Sequence, residues 1–112
     1  MIQVDIYYQE SLIRGYTVTG HAGYAKKGED VVCAAVSALA QTAILGLIDV
    51  LENKPQWKID EEGHLECWLA QEMTPAEQEK AQTILRTMEL GLSNIQCGYA
   101  KFLTVSKRRW NE

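Results

Sequence analysis

The chain has 112 residues, which is most simply one compact domain spanning residues 1–112. Its composition, 46% hydrophobic and 23% charged, is typical of globular proteins and excludes disordered, collagen-like and coiled-coil chains. Acidic residues outnumber basic ones by 15 to 11, and this negative balance argues against a general nucleic-acid binder, which needs positive surface to attract phosphates. Cys33, Cys67 and Cys97 form no CxxC pair, which favours a reducing cytoplasm over a disulfide scaffold, and the N-terminus has no signal-peptide pattern.

The first half of the chain predicts two strands, a loop and a long helix. Apolar and polar residues alternate from Ile2 to Tyr8, which predicts a half-buried strand, and β-branched and aromatic residues predict a second from about Ile13 to Thr19. Residues 20–30 are glycine-rich and aperiodic, which is typical of a loop. Asp30 is a suitable N-cap for a helix that is expected to run to about Glu52, before Asn53-Lys54-Pro55 ends it.

This helix is unusually apolar, with no charged residue between Val31 and Ile48. Its length meets the threshold for a membrane-spanning helix, but a central core helix has the same composition. The segment is rich in alanine, carries Ser37, Gln41 and Thr42 in its middle, and has no flanking basic cluster. We therefore expect a core helix, covered by two layers of protein or by a sheet and a partner subunit, and no contact with a membrane.

The second half predicts a hairpin, a helix and a last strand. Trp57–Asp60 and His64–Leu69 are expected to pair through a turn at Glu61-Glu62-Gly63. Thr74-Pro75-Ala76-Glu77 has the pattern of a capping box, followed by an amphipathic helix whose apolar stripe is Ala81, Ile84, Leu85, Met88 and Leu92. A strand from about Tyr99 to Ser106 follows, and the basic residues Lys107, Arg108 and Arg109 are expected to form a solvated tail. The order ββαββαβ predicts an α+β fold, a mostly antiparallel sheet with two helices packed on it.

The candidate chemistry lies where the glycine-rich loop meets the helix. With Asp30 as the cap, Cys33 is the third helical residue, and the unpaired N–H groups there favour a thiolate and would stabilise an oxyanion. His21, earlier on the loop, is a candidate base for the thiol proton. Two plainer interpretations stay open: such a cysteine is often a small buried hydrophobe, and a loop histidine is often only solvated.

Two further residues are candidate supports, with the same ambiguity. The Asp30 carboxylate stabilises the helix as a cap but opposes a thiolate at Cys33, unless it orients His21 or the loop. Ser37 lies one turn beyond Cys33 on the same helix face, where its hydroxyl bonds either near the thiol or to its own backbone.

The other cysteines are predicted to be structural. Cys67 occupies a core position of its strand, and Cys97 precedes Gly98 at a turn. A zinc site built from His21, Cys33, His64 and Cys67 is disfavoured, because His64 and Cys67 would point to opposite faces of a strand. We therefore expect neither a metal nor another cofactor.

The segment GHAGYAKKGEDVVCAAVSAL, residues 20–39, closely resembles the ribosomal-processing cysteine protease family of Gram-positive and related bacteria. The matching features are Gly20-His21-Ala22, the glycines at 23 and 28, Asp30, and Cys33-Ala34-Ala35-Val36-Ser37. They cover about a fifth of the chain, and the C-terminal half carries no such motif.

The resemblance implies a cysteine endopeptidase that removes the N-terminal extension of large-subunit ribosomal protein number twenty-seven, with Cys33 as nucleophile and His21 as base. Asp30 and Ser37 match motif positions of less certain role. It also implies a homodimer, through the apolar first helix or an exposed sheet edge. Because glycines permit movement, we further expect the loop of residues 20–29 to move to admit substrate. Two rivals are a non-catalytic ribosome-associated module and a thiol used in redox sensing or acyl transfer.

Overall fold

The computed structural model describes residues 1–20 and 27–111, and for residues 27–30 the backbone alone. The elements are β1 (Ile2–Gln9), β2 (Leu12–Thr19), α1 (Lys27–Val50), β3 (Gln56–Ile59), β4 (Leu65–Trp68), α2 (Pro75–Gly98) and β5 (Leu103–Arg109). Their order confirms the predicted ββαββαβ arrangement.

The five strands form one mixed sheet in the order β3-β4-β2-β1-β5. The pairs β1–β2, β2–β4 and β3–β4 are antiparallel, whereas β1 and β5 are parallel. The prediction of a mostly antiparallel sheet is therefore correct, with one parallel edge. That edge exists because α2 carries the chain from β4 across the sheet to β5, a crossover that parallel strands require.

Both helices pack on the same face of the sheet. The alternating residues Ile2, Val4 and Ile6 of β1 are buried in one core cluster with residues of both helices. Across the sheet, Tyr16 of β2 is fully buried, and its hydroxyl donates to the carbonyl of Ala40 in α1 at 2.6 Å. This bond fixes α1 on the sheet at the middle of the helix.

The start of α1 differs from the prediction. The helix begins at Lys27, so Asp30 is a helical residue rather than the N-cap, and Cys33 is in the second turn rather than third in the helix. Lys27-Gly28-Glu29 is helical although it contains a glycine, because one glycine disfavours a helix by only about 1 kcal/mol. The helix also ends at Val50, before the predicted Glu52.

One face of α1 packs in the core and the other is exposed. Its segment Val31–Val50 is long and apolar enough to cross a membrane, a test that core helices also pass. Its buried side chains belong to the core cluster and are Val32, Val36, Ala40, Ala43, Ile44 and Leu47.

The start of α2 matches its sequence signal in part. Thr74 is the N-cap, its hydroxyl accepts from the Glu77 N–H at 3.1 Å, and Pro75 is the first helical residue. The Glu77 carboxylate, however, accepts from the backbone and side-chain amides of Asn53 at 3.2 and 3.0 Å. Glu77 therefore ties α2 to the segment after α1, an interaction that a local capping pattern does not reveal.

The last strand begins later than predicted. Because α2 continues to Gly98, with Tyr99 as its C-cap, β5 starts at Leu103 rather than Tyr99 and extends through Arg109. Lys107, Arg108 and Arg109 are therefore not a solvated tail. They pair with Ile6, Tyr7 and Tyr8 of β1.

Candidate active site

Cys33 lies on α1 at the edge of a cleft. Its side chain is half-buried and packs against the core cluster. The described residues that line the cleft come from β1, β2, α1 and the β3–β4 turn, and they are Ile2, Val18, Thr19, Cys33, Val36, Ser37 and Gly63. The helix that carries the thiol is therefore packed on the sheet, and one side of the Cys33 side chain faces the cleft.

The end of β2 forms one wall of this cleft and then turns away sharply at Gly20. This residue has φ of +82°, and a Cβ there would lie 2.2 Å from the carbonyl oxygen of Met1. Glycine is required on both grounds, because other residues are strained at this φ and no room exists for a side chain. The first glycine of the motif therefore fixes the point where the chain leaves the sheet beside the cleft.

The β3–β4 turn also borders the cleft, beside the end of β2. The Asp60 carboxylate accepts from the N–H groups of Glu62 and His64 at 2.9 and 3.0 Å, which orders the turn and places Gly63 in the cleft lining. The pKa of Asp60 is lowered, first by the hydrogen bond from the His64 N–H. The rim beside the cleft is therefore acidic.

Of the four predicted site residues, the structure brings Cys33 and Ser37 into the same cleft. Ser37 is exposed, one helical turn beyond Cys33. His21 lies outside the described residues, as does the side chain of Asp30, so neither is placed relative to the thiol. The predicted loop movement concerns residues 20–29, most of which also lie outside the described part.

The later start of α1 changes the electrostatic argument for Cys33. The N–H groups that lack a partner inside a helix belong to its first four residues, here 27–30, one turn before the thiol. The dipole effect falls off within the first turn, so the helix contributes less to thiolate formation than predicted. A separate base is correspondingly more important.

The two remaining cysteines have different surroundings. Cys67 is 1% exposed on β4, which confirms its predicted core position, and burial raises its pKa to about 12. Cys97 is exposed and, with Gly98, belongs to the last turn of α2 rather than to the predicted turn. All three cysteines lie in the described part of the chain, and none is in a disulfide.

The described residues considered for a zinc site do not lie together. Cys67 is buried, whereas His64 lies on the exposed β3–β4 turn, outside β4. His64 instead groups with Asp60 and Glu62, whose ligand atoms lie within 4.8 Å of one another. Exposed acidic groups in such an arrangement are common without a metal.

Sequence reasoning missed the cleft residues outside the motif. Ile2, Thr19 and Gly63 are far from Cys33 along the chain, and they meet it because β2 pairs with both β1 and β4. The turn at Gly63 was predictable from its Glu-Glu-Gly pattern, but its position beside α1 depends on strand order.

Comparisons with known proteins show what the chain is similar to. A family model for cysteine protease Prp matches residues 1–104. A Bacillus subtilis protein named ribosomal processing cysteine protease Prp is 30% identical over 95 residues, covering 84% of this chain and 85% of its own. A Staphylococcus aureus protein of the same name is 30% identical over 103 residues, with 88% and 92% covered.

Solved structures show the same fold. A crystal structure from Streptococcus mutans is similar with a TM-score of 0.85 at 27% identity, covering 98% of this chain and 96% of that one. The S. aureus protease Prp in complex with a substrate peptide gives a TM-score of 0.83 at 26% identity, covering 96% of this chain and 100% of that one. The S. aureus protease with a covalently linked product peptide gives 0.79 at 27% identity, with the same coverage.

Proposed function

The chain belongs to the Prp family of cysteine proteases, and we propose that Cys33 is its nucleophile and His21 its general base. The observation that carries this proposal is the cleft shared by Cys33 and Thr19. His21 follows Thr19 by two residues. The intervening Gly20 lies so close to the Met1 carbonyl that a Cβ would not fit there. His21 is therefore only two residues along the chain from a residue that lines the cleft of the thiol.

In the proposed reaction, His21 takes the proton of Cys33 Sγ, and the thiolate attacks the carbonyl carbon of the substrate. The tetrahedral intermediate collapses, the C–N bond breaks, and the imidazolium gives its proton to the leaving amine. Water then hydrolyses the thioester and restores the thiol. The covalently linked product peptide in the S. aureus structure is consistent with a reaction through an enzyme-bound acyl group.

Ser37 and Asp30 are proposed as supporting residues. Ser37 lines the cleft beside Cys33, and we propose that its hydroxyl hydrogen-bonds a substrate or the thiol. Asp30 is three residues before Cys33 in α1, and we propose that it orients His21 or the preceding loop rather than capping the helix. Loss of either is expected to reduce the rate less than loss of Cys33.

The proposed substrate is the precursor of large-subunit ribosomal protein twenty-seven, cleaved in the cytoplasm to remove its N-terminal extension. Two observations support this. Curated relatives are named ribosomal processing proteases, and the S. aureus structure holds a substrate peptide. The negative net charge and the acidic rim at Asp60 and Glu62 also suit a basic ribosomal protein.

The test is cleavage of this precursor by the wild-type protein, Cys33→Ala and His21→Ala, with product N-termini read by mass spectrometry. Cys97→Ala is the matched control, because Cys97 is also a thiol on a helix but is exposed and outside the cleft. We expect one short N-terminal peptide from the wild type and the control, and none from the other two. If the wild-type enzyme cleaves other peptides but leaves the precursor intact, the proposed substrate is wrong. If Cys33→Ala cleaves the precursor, the proposed nucleophile is wrong.

We also propose that the protein is a homodimer. The outer face of α1 carries Val31, Ala34, Ala38 and Leu45 at helical spacing, and Val31 and Leu45 are 62% and 66% exposed. Such a stripe favours packing against another helix. Leu45→Glu should convert a dimer to a monomer in light scattering, whereas Leu90→Glu, on the exposed face of α2, should not. A monomeric wild-type protein would contradict this proposal.

A further inference from the structure

A second pocket lies at the other end of the sheet from the thiol. Its volume is about 370 Å³, which is within the usual range of small-molecule sites. Its lining comes from the start of β2 and β3, the ends of β4 and β5, and the segment after α1, and consists of Arg14, Lys54, Gln56, Trp68, Leu69, Ala70, Gln71 and Trp110. None of these residues lines the cleft of Cys33.

Arg14 is the unusual member of this lining. It is only 8% exposed, and its Nε atom is buried without a hydrogen-bond partner. Its Nη2 atom donates only a long bond, 3.5 Å, to the carbonyl of Leu69. A buried guanidinium with unused donors costs free energy, because those donors have lost water without gaining a partner. Arg14 also lines the pocket, so a ligand there would lie beside this guanidinium.

The backbone explains how Arg14 comes to this position. The register between β1 and β2 shifts between Tyr7 and Tyr8, which pair with Gly15 and Ile13, so Arg14 is the extra residue of a β-bulge. A bulge re-aims the side chain of its extra residue and is frequent next to functional sites.

Two tryptophans form walls of the pocket. The Arg14 guanidinium lies over the Trp110 ring, with its Cζ atom 5.0 Å from the centroid. Trp68 is held by Gly15, where a Cβ would lie 2.3 Å from the ring, and by Tyr7 at 5.1 Å between centroids. Stacking of this kind holds a guanidinium plane in a fixed orientation.

The charge of the pocket is positive in a protein that is negative overall. Its described lining has two cations, Arg14 and Lys54, and no carboxylate. Lys54 donates to the carbonyls of Ile48 and Leu51 at 2.6 and 2.7 Å, which anchors the ammonium group at the end of α1. An ammonium has three N–H groups, so Lys54 keeps a donor beyond these two bonds.

We propose that this pocket binds an oxyanion, a carboxylate or a phosphate group, through the guanidinium of Arg14, with Lys54 as the second cation. The fork of a guanidinium matches two oxygens of either group. The amides of Gln56 and Gln71 add donors at the rim, and Trp68 and Trp110 contact the remainder of the ligand. The site is separate from the thiol cleft and does not depend on proteolysis.

The test is a fluorescence titration of the full-length Trp57→Phe variant, in which the tryptophan emission comes from Trp68 and Trp110 alone. Potassium phosphate and sodium acetate are the probes, at an ionic strength held constant with potassium chloride. We expect a saturable change in emission, with an apparent Kd at least tenfold higher after Arg14→Gln. The tighter probe identifies the group as phosphate or carboxylate.

Controls separate this site from general charge effects. Arg86→Gln removes an exposed arginine of α2 and should leave the Kd unchanged, as should Cys33→Ala. If Arg14→Gln does not fold, Arg14→Lys and Lys54→Met carry the test, each expected to raise the Kd at least threefold. A change in emission that does not saturate, or a Kd equal in the wild type and these variants, would overturn the proposal.

Discussion

Cys33 and Cys67 are two thiols of one core cluster with opposite surroundings. Cys67 points into the helix-covered face of the sheet, is 1% exposed, and has its pKa raised to about 12 by burial. Cys33 packs against the same cluster but borders a cleft that reaches the surface through Thr19, Ser37 and Gly63. The difference shows that the residue type alone does not determine the chemistry of a thiol, because these two thiols differ in their access to the surface.

The largest expected effect separates these thiols by activity. Cys33→Ala should lower the rate of peptide cleavage roughly 10⁴-fold or more, because the covalent step is lost. Cys67→Ala should keep the activity per folded molecule and lower the free energy of unfolding by about 1–2 kcal/mol, through a small cavity in the core. Precursor cleavage and urea denaturation of both variants check this. Equal activity losses would show that the two sites are coupled.

Alkylation should separate the same thiols by reaction rate. In the native protein at neutral pH, iodoacetamide should label Cys33 about a hundredfold or more faster than Cys67, which needs local opening to react. Peptide mapping by mass spectrometry after timed quenching gives both rates from one sample. Cys97, exposed on α2, is the internal reference for a thiol outside the cleft. Labelling of Cys33 slower than Cys97 would contradict an activated nucleophile.

The wall of the cleft should be sensitive to a single methyl group. Gly20→Ala introduces a Cβ 2.2 Å from the Met1 carbonyl at φ of +82°. We expect a loss of about 3 kcal/mol in the free energy of unfolding, because both the backbone and the contact are strained.

Gly98→Ala is the matched control for this substitution. A Cβ at Gly98 meets nothing within 4 Å, and the residue lies in α2, so its stability should change little. Thermal unfolding of both variants measures the difference. A Gly20→Ala protein as stable as the wild type would show that β2 can leave the sheet by another path.

Prediction from sequence succeeded where the signals are local. The Thr74 cap, the stripe through Leu85 and Leu92, and the alternation in β1 all depend on neighbours a few residues away, and the structure has each of them. The start of α1 was missed because Asp30 is only a favourable cap, and packing along the apolar helix outweighs that preference.

Of the candidate site, only the residues within the sequence motif were predictable. The motif identified Cys33 and Ser37, and the helix places both in one cleft. Gly63 and Ile2 were not predictable, because they reach the cleft through the pairing of β2 with β4 and β1. Arg14 was missed for a similar reason, since a β-bulge and the Trp110 ring at the end of β5 define its surroundings.

The last expected effect is on stability at alkaline pH. The folded state holds the pKa of Cys67 at about 12, above the ordinary value of a thiol near 8.5, and burial also raises the pKa of Tyr16. Between these values the unfolded chain loses the Cys67 proton and the folded protein keeps it. The stabilisation is therefore complete below about pH 8.5 and is lost as the pH rises towards 12. Urea midpoints from pH 7 to 10.5 should fall less steeply for Cys67→Ala than for wild type, whereas Cys97→Ala should follow wild type. Parallel curves for Cys67→Ala and wild type would show that the Cys67 thiol does not contribute to the pH dependence of stability.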